Sequence, residues 1–165
     1  MNILDRLGRT RINVKDTIEF SENPWYQYEN KFTSITKNGK FVQINSKGEL
    51  LLEDIELNKN SQLTSTNKTL VTLTDNILKI KDHRLELDFG VYTEPRLFYI
   101  NNKIYISLTD TQSHKVYLYD SNADLFPNFP VYGNSVIDLG NMDQDDALEF
   151  VVKGEENSIL IYQIQ

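Results

Sequence analysis

A strand, a polar turn and a second strand recur along this chain at an interval near 40 residues. The turns open at positions 5, 45, 81 and 120, which are 40, 36 and 39 residues apart. Self-similarity at a fixed period is the signature of a repeated supersecondary unit. The chain is therefore expected to repeat one small β unit about four times. Three clear copies and a degenerate fourth carry the pattern, namely Ile3–Gly8, Val42–Gly48, Leu118–Ala123 and, degenerate, Leu78–His83.

Apolar residues between the turns alternate with polar ones, which is the period of a β-strand. Ile104, Ile106 and Leu108 are separated by Tyr105 and Ser107. Successive side chains of a strand point to opposite faces, and β-branched and aromatic residues favour strands. The spacing of an amphipathic helix is hard to find in this chain. The sequence thus predicts an all-β fold.

Turn residues stand where hairpins require them. Two-residue turns with positive φ favour Asn, Asp and Gly. The dipeptides Asn38-Gly39, Asp75-Asn76 and Asn101-Asn102 each separate two apolar runs. We expect antiparallel hairpins with two-residue turns at all three places.

A period near 40 with about four short strands per unit is typical of a β-propeller. We therefore predict propeller-like antiparallel repeats forming about four blade units in a single domain over residues 1–165. Either the units close a small ring, or the chain is the C-terminal part of a longer propeller. In the closed ring, Ile159–Ile164 and the N-terminal strands would share one blade, which would leave no open sheet edge.

Composition and charge exclude several classes of function. The net charge of −7 argues against nucleic acid, because binding to phosphates requires Lys and Arg patches. No apolar run approaches the roughly 20 residues that span a bilayer. The chain has no cysteine, so neither a disulfide nor a thiolate site is expected.

Two segments resemble a known family. Tyr117–Ser121 followed by Leu125–Val131 is similar to the strand, turn and exit of PQQ-like and FG-GAP-like β-propeller repeats, and Asn45–Leu50 resembles the same turn. The resemblance extends to C-terminal regions of uncharacterised envelope proteins of Bacteroidetes. It implies a cell-envelope or extracellular location. It implies no catalytic role, since the cofactor-stacking residues of quinone-dependent dehydrogenases have no counterpart here and fold alone does not license function.

The segment from Asn141 to Phe150 resembles a calcium-binding loop. Oxygen ligands at alternating positions suit a hard cation. Position 6 is usually glycine in such loops, and here it is Asp146. The competing interpretation is a repeat turn in which Asp side chains cap backbone amides. The predicted ligands are Asn141, Asp143, Asp145, the Ala147 carbonyl and Glu149.

Other residues predict structure rather than chemistry. His83 and His114 lie in polar turns without the spacing of a metal site or a triad. The aromatic clusters around Trp25 and around Phe126 and Phe129 are expected to pack between blades.

Two functions remain open. The first is a non-catalytic scaffold that presents loops to a protein or a glycan. The second is part of a propeller enzyme or cofactor-binding domain with its site at the ring axis. A homodimer of two half rings is a further arrangement that the repeat pattern allows. The sequence favours the scaffold, because no polar cluster can be assigned to an axis.

Overall fold

Four antiparallel sheets of three or four strands follow one another along the chain in a propeller-like repeat, after a two-stranded hairpin at the N-terminal end. The computed structural model describes residues 2–13, 18–143 and 145–164. These residues contain strands and turns and no helix, so the predicted all-β class is confirmed. The chain divides into two compact units, Met1–Leu70 and Val71–Gln165, and the boundary falls within a strand, β8. That the chain forms one domain stays a prediction.

The first compact unit begins with the hairpin and one complete sheet. Strands β1 and β2 pair with each other, and β3 to β6 form a sheet in the order β3-β4-β5-β6. Strand β7 belongs to a second four-stranded sheet. The bounds are β1 Asn2–Leu4, β2 Thr10–Asn13, β3 Tyr26–Tyr28, β4 Lys31–Ile35, β5 Phe41–Ile44, β6 Leu50–Glu53, β7 Gln62–Thr66 and β8 Thr69–Thr74.

The remaining strands complete the repeat. The second sheet has the order β10-β9-β8-β7, the third β11-β12-β13-β14, and the last, of three strands, β15-β16-β17. The neighbouring strands of these sheets whose register is described are antiparallel. The bounds are β9 Ile77–Ile80, β10 His83–Glu86, β11 Arg96–Ile100, β12 Lys103–Asp110, β13 Lys115–Tyr119, β14 Val131–Tyr132, β15 Asp138–Gly140, β16 Leu148–Lys153 and β17 Ile159–Ile164.

The third sheet is buried on both faces, which explains the dense apolar runs in β12 and β13. Ile106 and Leu108 pack with Leu78 and Ile80 in one cluster. Tyr105, Val116 and Leu118 belong to a second cluster, with side chains of β15 and β16. Because successive side chains alternate between faces, one strand serves two cores. Each fully buried Leu or Ile stabilises the fold by about 1.5–3 kcal/mol.

The recurring turn is the same structure in its three clear copies. In each, the side-chain oxygen of the opening residue accepts two backbone N–H groups. The third residue after the opening residue, namely Gly8, Gly48 or Ala123, has positive φ. Such side-chain turns are a known use of Asp and Asn. The opening residues are Asp5, Asn45 and Asp120. The degenerate copy at Lys81-Asp82 differs, because Ile80 pairs directly with His83 across a two-residue turn.

Two of the three predicted two-residue hairpins are confirmed. Ile100 pairs with Lys103 around Asn101-Asn102, and Thr74 pairs with Ile77 around Asp75-Asn76. The predicted two-residue turn at Asn38-Gly39 is wrong, because the turn is longer. There the ladder ends at Ile35 and Phe41, so five residues form the turn. Its backbone closes with the N–H of Thr36 donating to the carbonyl of Lys40 at 2.9 Å.

Candidate metal centre

The acidic loop joins β15 to β16, and the ladder between these strands brings its two ends together. Gly140 pairs with Glu149, and Leu139 pairs with Phe150. Leu139 and Phe150 are buried in the second cluster of the fold. The loop is therefore held at its base by core packing, and residues 141–147 must reverse direction over a short span. Gln144 lies outside the described residues.

Three carboxylates converge in this loop. One oxygen from each of Asp143, Asp145 and Glu149 lies within 4.8 Å of the others. Two like charges about 4 Å apart repel by about 1 kcal/mol in water and by about 4 kcal/mol near a protein surface. Because three carboxylates this close together repel one another, they favour the binding of a cation.

Glu149 is the buried member of the group, with only 7 % of its surface exposed. Its Oε2 accepts the backbone N–H of Met142 at 2.9 Å, and its Oε1 accepts the side-chain amide of Gln163 at 3.4 Å. Both donors are neutral. A buried charge is usually paired with an opposite charge or coordinates a metal, so the carboxylate of Glu149 is the strongest single indication of a cation here.

The two aspartates also shape the loop by hydrogen bonds to its backbone. The N–H of Asp145 donates to Oδ1 of Asp143 at 3.2 Å, and the N–H of Ala147 donates to Oδ1 of Asp145 at 2.6 Å. The side-chain amide of Asn141 donates to the carbonyl of Asp145. Each of these bonds to a carboxylate uses one of its two oxygens. The second oxygen of each aspartate can therefore bind a cation while the turn stays intact.

Of the five predicted ligands, the structure brings together the three carboxylates, Asp143, Asp145 and Glu149. Asn141 and Ala147 take part in the hydrogen bonds of the loop through their nitrogen atoms. Sequence reasoning missed Gln163, which lies 14 residues beyond Glu149 and pairs with it across β16 and β17. Cross-strand pairing of a hairpin would have revealed this contact, because residues directly opposite each other share a face.

Most of the remaining candidates contact aromatic rings. His83 is exposed on β10, and His114 stacks on Tyr132 with ring centroids 5.9 Å apart. Phe126 stacks on Tyr105, and Phe129 packs against Phe150. These ring contacts agree with the interpretation of the aromatic residues as packing between sheets.

None of the described segments forms a helix with the length and hydrophobicity that spanning a membrane requires.

Comparison with known proteins reveals similarity of fold alone. No protein-family model and no curated protein sequence matches the chain. The crystal structure of the computationally designed Ika4 protein is similar with a TM-score of 0.56 and 15% sequence identity, over 90% of this chain and 96% of that chain. At this level of identity the similarity concerns the arrangement of strands and carries no information on function.

Proposed function

We propose that this protein is a non-catalytic, propeller-like scaffold that presents loops to a protein or glycan partner and that holds Ca²⁺ in the loop between β15 and β16. The convergence of Asp143 and Asp145 on the buried carboxylate of Glu149 carries the calcium part of the proposal. The repeated sheets supply the rigid framework, and rigid frameworks commonly carry binding residues on their loops.

Calcium fits the chemistry and the spacing of this group. Ca²⁺ takes oxygen ligands at about 2.3–2.6 Å, so two oxygens on one ion are separated by at most about 5 Å. The three carboxylate oxygens lie within 4.8 Å of one another. Mg²⁺ keeps several waters and is usually bound by one or two carboxylates, so a group of three carboxylates favours calcium. Water and backbone carbonyls would complete the larger coordination sphere of calcium.

The role of the ion would be structural. Glu149 lies on β16 and contacts Gln163 of β17, whereas the aspartates lie in the loop. An ion bound by all three would fasten the loop to the sheet. Ca²⁺ sites of extracellular modules have dissociation constants of about 10⁻⁴–10⁻³ M, and we propose an affinity in this range because the sequence resemblance implies an envelope location.

Solvent-exposed apolar side chains on loops support the proposed presentation of a binding surface. Phe89 and Val91, between β10 and β11, are among the most exposed large hydrophobic residues of the described chain. The backbone of this loop is fixed because the N–H of Val91 donates to the carboxylate of Asp110. Exposed apolar residues on a fixed loop are suited to contact with a partner.

Thermal unfolding in Ca²⁺ and in EDTA tests the calcium part. At a free concentration 100 times the dissociation constant, binding to the folded state alone adds about 2.7 kcal/mol of stability. For a chain of this size that corresponds to a rise in Tm of about 5–10 °C. Asp145→Asn is expected to abolish most of the rise, whereas Asp82→Asn, in the exposed turn before β10, is the matched control. An equal Tm in Ca²⁺ and EDTA for the wild type would overturn the proposal of a calcium site.

A further inference from the structure

A cavity of about 440 Å³ opens at one end of the third sheet, where β13 ends before the neighbouring strand β12 does. The ladder between the two strands stops at the pair of Ile106 with Tyr119, whereas β12 extends to Lys103. Every residue that lines the cavity belongs to the second compact unit. Sites for small ligands commonly have volumes of about 300–1,000 Å³, so the gap beside the shorter strand is large enough to hold one.

Main-chain groups of Ile104 face this gap. Both residues of the turn before β12 have positive φ, as in a type I′ turn, which is closed by a hydrogen-bonded pair, here Ile100 with Lys103. Hydrogen-bonded and non-hydrogen-bonded pairs alternate along an antiparallel ladder, so Ile104 directs its N–H and C=O away from β11. On that side β13 has already left the ladder. One main-chain donor and one acceptor are therefore open to a ligand.

An exposed aromatic ring and two apolar side chains line the same cavity. The side chain of Tyr99 is 62 % exposed, and its hydroxyl donates to Oδ1 of Asn102 at 2.8 Å. Ile104 and Phe126, which also line the cavity, pack against the first and the second core cluster. Tyrosine combines an apolar ring with a polar tip. The cavity thus offers a ring surface held in place by a hydrogen bond at its tip.

The cavity has one charged side chain of each sign, Lys103 and Asp120. The ion pairs found among the described residues lie in the first compact unit, so these two charges do not pair with each other. Oδ1 of Asp120 accepts two N–H groups of its own turn, whereas Oδ2 has a longer contact, 3.4 Å, with the side-chain amide of Asn122. Opposite charges that line one cavity favour a ligand without net charge.

These features together define the ligand. It carries no net charge, it has groups that both donate and accept hydrogen bonds, and it has an apolar face. An extended peptide does not fit, because the next outward-facing residue of β12, Ile106, is already paired with Tyr119. A sugar ring does fit, because each hydroxyl is both a donor and an acceptor and the C–H groups of the ring form an apolar face.

We propose that this cavity binds a neutral pyranose unit of a glycan. The C–H face of the sugar packs on the ring of Tyr99. Its hydroxyls donate to Oδ2 of Asp120 and to the carbonyl of Ile104, and they accept from the ammonium group of Lys103. This inference rests on the proposed function as a scaffold and specifies a glycan as the partner.

Methyl glycosides test the proposal. Amide spectra of the ¹⁵N-labelled full chain are recorded during titration with the methyl glycosides of glucose, galactose, mannose and N-acetylglucosamine. Methyl glucuronide, which differs from the glucoside by a carboxylate, is the matched anionic ligand. We expect at least one neutral glycoside to shift the amide signals of Asn102, Ile104 and Ser121 in a saturable manner, and to bind at least fivefold more tightly than the glucuronide. No shift with any neutral glycoside, shifts confined to other parts of the chain, or preference for the glucuronide would overturn the proposal.

Two pairs of variants assign the contacts. Tyr99→Ala should weaken binding of the same glycoside at least tenfold, whereas Phe89→Ala removes a ring that is 92 % exposed on another loop and should change affinity less than twofold. Asp120→Asn keeps the turn, because Asn45 makes the same backbone bonds in its own copy, and should weaken binding at least fivefold. Asp5→Asn, at the corresponding position of the first repeat, is its control. Unchanged affinity of Tyr99→Ala, or equal losses in a variant and its control, would contradict the proposed contacts.

The Tm in Ca²⁺ and EDTA is measured on the same samples. Absence of glycoside binding with the calcium response intact would refute the sugar site and leave the calcium part of the proposed function standing. Glycoside binding without a calcium response would have the opposite meaning, since the cavity and the acidic loop share no residue.

Discussion

Replacement of Asp110 by asparagine probes a buried carboxylate that accepts hydrogen bonds from three protein groups. Asp110 ends β12 and is 3 % exposed. Its Oδ1 accepts the N–H of Val91 at 3.1 Å and of Gln112 at 2.9 Å, and its Oδ2 accepts the hydroxyl of Ser113. Burial raises the pKa of this carboxyl, but the hydrogen bonds from Ser113, Gln112 and Val91 outweigh burial and hold the pKa below its ordinary value.

The expected loss of stability follows from these bonds. Hydrogen bonds to a charged acceptor contribute about 1.5–3 kcal/mol each, and those between neutral groups about 0.5–1.5 kcal/mol. Asp110→Asn keeps an amide oxygen for the two backbone donors and loses the charge. We therefore expect a loss of about 2 kcal/mol in the free energy of unfolding at pH 7.

The pH dependence has a defined sign. A carboxyl whose pKa is lower in the folded state stabilises the protein above its unfolded pKa of about 3.9, and this contribution is lost as pH falls through the folded value. The difference between wild type and Asp110→Asn should be largest at pH 7 and should narrow below about pH 4.

Urea unfolding followed by tryptophan and tyrosine fluorescence at pH 7, 5 and 3.5 measures the difference. Asp82→Asn, in an exposed turn, is the control and should change stability by less than about 0.5 kcal/mol at every pH. A difference for Asp110→Asn that stays constant, or that widens as pH falls, would refute the assignment of Asp110 as a charged hydrogen-bond acceptor.

Five further substitutions, at four positions, test the turns and the core. Gly39→Ala should cost at least 3 kcal/mol in urea unfolding, because a Cβ would lie 2.5 Å from neighbouring backbone, whereas Gly8→Ala, also at positive φ but in open space, should cost only about 1 kcal/mol. Asp120→Ala should cost about 1–2 kcal/mol by the same assay, but Asp120→Asn should be nearly neutral, because Asn45 makes the same bonds in its own turn. Burial raises the pKa of Tyr119 to about 12 and also raises the pKa of Tyr92 and of Tyr117, so tyrosinate absorbance should include a late phase that Tyr119→Phe reduces by one group, and the stability that Tyr119 supplies should be lost as pH rises from about 10 through 12.

The strands and the repeating turn were predictable because their causes are local. Alternation in Ile104–Leu108 and the turn residues Asp5, Asn45 and Asp120 act over a few residues, and the structure has strands and matching turns at those places. The prediction failed in detail at Asn38-Gly39, where the turn is longer than two residues. There the side-chain oxygen of Thr36 accepts the N–H of Lys40, a bond that dipeptide preferences do not include.

The acidic loop shows how far the residues of a site can be predicted from the sequence. The sequence predicts oxygen ligands from their spacing, and the structure gathers three of the five predicted residues, all carboxylates. The burial of Glu149 and its contact with Gln163 depend on the pairing of two strands, which a loop motif does not encode. That the loop binds calcium stays a prediction.

The sequence by itself determined that this chain is built of short antiparallel strands in repeats near 40 residues, because hydrophobic alternation and turn chemistry are properties of neighbouring residues. Only the tertiary structure decided which groups lose water. It buries Asp110 and Glu149. It leaves Ile159 and Ile161 exposed, although their strand has apolar residues on both faces. Burial depends on which sheet covers which face, and that is settled by contacts between residues distant in sequence.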